Sequence, residues 1–158
     1  MPSAALPIRG SQQTALPPNA ERENFLSNTL VILCVDDEPV GLMARRLLLS
    51  IAGYTVLPAE SGDVALRLFN CNHVDLVLTD HLLPDLTGAQ LASEMKRRKP
   101  EVPIVLLTGL VEPPSEFKYA DLLLTKGMTP PEFLAAIAKL LSKGQAAGTA
   151  TPQSAGSS

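Results

Sequence analysis

Five short apolar runs, separated by stretches of helical periodicity, constrain the fold of this chain more than any other feature. The runs are LVILCV from Leu30 to Val35, TVLPA from Thr55 to Ala59 and VDLVLT from Val74 to Thr79, then VPIVLL from Val102 to Leu107 and LLLT from Leu122 to Thr125. Most are nearly continuous in apolar residues, as strands covered on both faces must be. Pro58 assigns the second run to a sheet edge, because proline donates no ladder hydrogen bond. Pro103 is tolerable only at the start of its strand.

The intervening stretches read as helices. Leu42, Leu47, Leu48 and Ile51 recur at helical spacing after Pro39. Val64, Ala65, Leu68 and Phe69 follow Ser61, a suitable N-cap. Thr87 with Gln90 forms a capping box ahead of Leu91 and Met95. Thr129 with Glu132 forms another, with Pro130 at the first helical position, before Phe133, Leu134, Ile137, Leu140 and Leu141. Such alternation predicts an α/β fold, a doubly wound parallel sheet with helices on both faces. The segment from 113 to 120 has room for about two helical turns and no more.

A chain of 158 residues suggests one domain with tails. Residues 1–28 and 144–158 are rich in Pro, Ser, Gln, Gly and Ala without periodicity, so a flexible lead-in and a disordered tail are expected around a domain at 29–143. No apolar run reaches the roughly 18–20 residues of a membrane span, and no secretory layout opens the chain. Cys34 and Cys71 are too few for a disulfide framework. Cys34 reads as a buried thiol, and a reducing, cytoplasmic location is expected. A net charge of −3 argues against a nucleic-acid partner. The basic run Lys96 to Lys99 ends a predicted helix, where cations complement the dipole.

In open α/β sheets, ligands bind beyond the carboxyl ends of the strands, where strand order reverses. Asp36 and Asp37 follow the first run, Asp80 follows the third, Thr108 ends the fourth and Lys126 follows the fifth. With strand order 2-1-3-4-5, the switch point lies between strands one and three and gathers Asp36, Asp37 and Asp80 into one crevice. Three carboxylates so close repel unless a cation relieves them, and Mg²⁺, a hard oxygen-seeking ion, suits them. Such a set can accept a phosphoryl group on one carboxylate. Lys126 offers a point charge and Thr108 a hydroxyl donor to the phosphoryl oxygens. Each residue also has a plainer use: an aspartate before Pro39 caps a helix, Asp80 can serve a turn, and Lys126 alone is a surface lysine. Their joint register is what points to chemistry. His73 and His81 form no metal-ligand pattern.

The segments VDDEP at 35–39, TDHLLPDLTG at 79–88, LLTG at 106–109 and LLLTK at 122–126 resemble the receiver domain of two-component response regulators, the CheY-like family with a flavodoxin-like sheet. The second segment carries proline four residues and glycine eight residues after the aspartate, at Asp80, Pro84 and Gly88. The resemblance implies that Asp80 is the phosphoacceptor and that Asp36 and Asp37 hold Mg²⁺ with Asp80 and the carbonyl of Leu82. It makes Thr108 the switch hydroxyl and Lys126 the lysine that pairs with the phosphoryl group. A histidine kinase or histidine phosphotransfer protein is the implied donor. The expected function is a stand-alone phosphorelay receiver signalling by protein contact, catalysing only its own phosphorylation and dephosphorylation.

Three positions depart from the family pattern. Gly127 stands where a proline usually follows the lysine, and Leu123 stands where an aromatic switch residue is expected. Thr108 and Lys126 are closer in sequence than usual by about one helical turn, so the fourth helix should be shortened or irregular. Leu82 and Leu110, two residues beyond Asp80 and Thr108, would border the path of an attacking water. That favours a slowly hydrolysed acyl phosphate, and a half-life of seconds would contradict it. A receiver-like binding scaffold without phosphorylation is the alternative. A haloacid-dehalogenase-like phosphatase would want an aspartate at position 82, which is leucine. No glycine-rich loop for a nucleotide follows the first strand.

Overall fold

The computed structural model describes residues 29–109 and 117–148. The expected segment at 1–28, and Leu110, lie outside them. Strand β1 (Val31–Val35) leads into helix α1 (Pro39–Ile51), β2 (Thr55–Ala59) into α2 (Gly62–Cys71), and β3 (Leu76–Asp80) into α3 (Gly88–Arg98). Strand β4 (Ile104–Thr108) is followed among the described residues by one 3₁₀ turn at Phe117–Tyr119, then β5 (Leu122–Thr125) and α4 (Pro130–Gly148). All pairings are parallel, in the order β2-β1-β3-β4-β5. Pro58 does lie on an edge strand.

Burial separates centre from edge. Every residue of β3 and β4 is buried, whereas β2 and β5 each bury only one. Side chains alternate between two cores, as the strand period requires. Ile32, Cys34, Leu76, Leu78, Val105 and Leu107 face α1 and α4, while Leu33, Val35, Val77 and Ile104 face α2 and α3. Cys34 has no exposure, and burial pushes its thiol up to about 12. It stays a protonated, apolar group at any ordinary pH.

The helix starts follow local chemistry. Ser61 accepts from the Val64 N–H, and Thr87 and Gln90 form the reciprocal capping box. At Thr129 only half a box forms, because the Glu132 carboxylate takes both the Thr129 N–H and its hydroxyl. One expectation is corrected here. Leu47 and Ile51 are 60% and 77% exposed, and the inward stripe of α1 is Leu42 and Leu49 instead. Helix α4 runs to Gly148, and residues 149–158 of the expected tail lie outside the described residues. The basic run closing α3 is engaged inward and locally. Lys99 donates to the Phe69 and Asn72 carbonyls, Lys96 to the Val102 carbonyl, and Arg98 pairs with Glu94.

At the amino ends of the strands lies a cleft bordered by Leu30, Asp75, Pro103, Leu141 and Gly144. Asp36, Asp37 and Asp80 lie at the opposite, carboxyl ends of the strands.

Candidate functional site

The pocket is built from strand ends. Beyond β1 the backbone N–H of Asp36 donates to the Ala59 carbonyl at 3.0 Å, extending the ladder by one residue. This drives the Asp36 side chain to complete burial. Its Oδ1 accepts the Glu38 N–H at 2.9 Å, and its Oδ2 pairs with the guanidinium of Arg45. Asp37 beside it is exposed. Asp80 is the last residue of β3, in register with Leu107 of β4 and only 6% exposed. Asp36, Asp37 and Asp80 each offer a carboxylate oxygen within 4.8 Å of the others.

The cations come from the flanks. Lys126 Nζ donates to Asp80 Oδ2 at 2.7 Å, and the Lys126 backbone N–H donates to the Thr108 carbonyl at 3.0 Å. Thr108 closes β4 and is buried. Three carboxylates therefore face two cations, Arg45 and Lys126, leaving one surplus negative charge. The donor set is oxygen only, compact and net anionic, which suits a small hard divalent ion. Leu82 stands two residues past β3, bridged to Thr87, with its side chain 67% exposed.

The loop after Asp80 is held by a close approach. The Gly88 N–H donates to the His81 carbonyl at 2.8 Å. A Cβ on Gly88 would sit 2.3 Å from the Asp80 carbonyl oxygen and 2.7 Å from Leu106 Cδ1, so only glycine fits. Asp85 reaches back to α2 and accepts the Gly62 and Asp63 N–H groups at 3.0 and 2.8 Å. Its slight burial acts to raise its carboxyl pKa, but these N–H donors, with its own and that of Leu86, together hold it below the usual value. The His81 ring meets Phe117 edge-on at 5.5 Å, and its buried Nδ1 has no hydrogen-bond partner among the described residues.

The structure thus brings the Asp36, Asp37, Asp80 and Lys126 side chains together and sets Thr108 beside Lys126 through its backbone carbonyl. The signal overlooked was Arg45. It lies three residues after Leu42 and four before Leu49, on the stripe those leucines bury.

A flavodoxin-like sheet with an acidic pocket at its switch point defines a receiver-type α/β module. The family model for the response regulator receiver domain matches residues 32–138, and the chain belongs to that family. It is 40% identical over 78 residues to the transcriptional regulatory protein GlrR of Escherichia coli strain K12, covering 49% of this chain and 18% of that protein. It is 36% identical over 121 residues to Probable transcriptional regulator ycf27 of Cyanophora paradoxa, covering 72% of this chain and 49% of that protein. The chain thus spans half or less of the length of either relative. The response regulator TrrA of Thermotoga maritima, solved in complex with Mg²⁺-BeF, superposes with a TM-score of 0.68 at 31% identity, over 71% of this chain and 99% of that one. Among the described residues no helix is long and apolar enough to cross a membrane.

Proposed function

We propose that this receiver accepts a phosphoryl group on Asp80 from the phosphohistidine of a histidine kinase or histidine phosphotransfer protein, and signals by protein contact. The observation that carries this reading is the buried Asp80 carboxylate, bonded by Lys126 at 2.7 Å and lying within 4.8 Å of two further acids. In the transfer, a carboxylate oxygen of Asp80 forms the new P–O bond as the P–N bond to the donor imidazole breaks. The imidazole leaves with the bonding pair and takes a proton from solvent. Lys126 supplies charge to one phosphoryl oxygen and the Thr108 hydroxyl supplies a hydrogen bond to another. Asp36 and Asp37, with Asp80 and the Leu82 carbonyl, would hold Mg²⁺. When bound, the ion offsets the negative charge that gathers on the phosphoryl oxygens. The TrrA complex with Mg²⁺-BeF supports this use of a related pocket.

A receiver-like binding scaffold is the second reading. It is favoured by Leu123, an aliphatic residue where the family places its aromatic switch. Incubation with Mg²⁺ and a radiolabelled small phosphodonor separates the two. Labelling of the wild type that is lost in Asp80→Ala is expected, and an unlabelled wild type would move the assignment to the scaffold.

A further inference from the structure

We propose that Arg45 is a resident counter-cation for Asp36 which a divalent ion must displace, so that metal uptake and release of the guanidinium are one event. The inference rests on reading the acidic triad as a metal site and concerns what guards it.

Asp36 has no exposed surface, and a carboxylate held out of water needs a partner. Arg45 supplies one from nine positions further along, across the turn into α1, with a side chain only 17% exposed. It does so from the inward stripe, between buried Leu42 and Leu49, where an apolar side chain would pack without any need for a counter-ion. Gly41 makes the room. A Cβ there would stand 3.0 Å from Asp36 Oδ2 and 3.4 Å from Arg45 Nη1, crowding the pair from above. An ion coordinated by Asp36 would compete for the oxygen that the guanidinium holds, and two cations on one carboxylate repel. The guanidinium has somewhere to go. A cavity of about 130 Å³ opens beside it, bordered by Arg45, Lys126, Leu107, Thr125 and Phe133. Withdrawal into that space keeps the charge near the pocket and leaves the leucine stripe undisturbed.

The chain therefore trades affinity for a filled pocket when metal is scarce. Arg45→Gln should bind Mg²⁺ on the order of ten-fold more tightly than wild type, since one charge a few ångströms away is removed. Arg45→Lys, which keeps the charge, should stay near wild type. Calorimetric titration of the full chain with MgCl₂ measures both. The same saturating Mg²⁺ concentration should also raise the melting temperature of Arg45→Gln by more than it raises that of wild type, because the stabilisation from a bound ligand grows with the logarithm of its affinity. Removing the guanidinium leaves a buried carboxylate unpaired and threatens folding of that variant. A ¹H–¹⁵N titration of the wild type gives the independent reading. The Arg45 Nε–H signal should move with Mg²⁺ at the same half-saturation as calorimetry. Equal affinities in wild type and Arg45→Gln, or an unmoved Nε–H signal while metal binds, would overturn the role of Arg45 and leave the receiver reading standing. No uptake by either protein would remove the metal site and this inference together.

Discussion

On the β1–β3 side of the pocket, the acids hang from strands that have neighbours on both sides, and Asp36 and Asp80 are almost wholly buried. On the β4–β5 side, Lys126 leaves a four-residue edge strand, and the described chain between β4 and β5 has one 3₁₀ turn and no α-helix. The first side concentrates charge where water cannot screen it, so its geometry must be rigid. The second carries a flexible cation on a thinly covered edge. Within one pocket, Asp36 and Asp80 are buried on central strands, while Lys126 reaches Asp80 from the less buried edge.

The difference can be broken first in the sheet. Leu78→Ala, in the fully buried centre of β3, should cost about 4 kcal/mol. Leu123→Ala, on half-buried β5, should cost about 1 kcal/mol. Urea unfolding measures both, and equal losses would mean that the edge is as well anchored as the centre. Next comes the close approach behind Asp80. Gly88→Ala should lose about 2–3 kcal/mol, since its Cβ overlaps backbone, and should weaken labelling of Asp80 beyond what the stability loss explains. The smallest effect belongs to the opposite flank. Gly127 has no heavy atom within 4 Å of a built Cβ and no positive φ, so Gly127→Ala should gain about 0.5 kcal/mol in the same assay.

Much of this was readable from residues alone, for identifiable reasons. Buried parallel strands announce themselves as apolar runs, and Pro58 marks an edge because a missing N–H is a local fact. The register of Asp36, Asp80, Thr108 and Lys126 at strand ends follows once strand order is known. Helix α1 was misread because LLLSI is apolar around most of its circumference. Period alone then fails to choose between Leu47 and Leu49, and contact with the sheet decides. Arg45 was missed for a related reason. Its partner is a buried carboxylate across a turn, a tertiary relation with no spacing of its own. The cap that Asp85 places on α2 is likewise illegible locally, because it serves a residue 22 positions earlier. The space at Gly88 depends on Leu106 as well as on Asp80, so glycine alone does not reveal it.

The cleft that Leu30 shares with Gly144 has one further consequence. The first described strand begins beside Leu30, and the last helix passes the same cleft at Gly144, at the amino ends of the strands and away from Asp80. A segment joined at Leu30 would therefore start at the end of the sheet away from the acidic pocket. Such a layout keeps the cleft shared by Leu30 and Gly144 apart from the acids. It accords with relatives of which this stretch is only 18% or 49%.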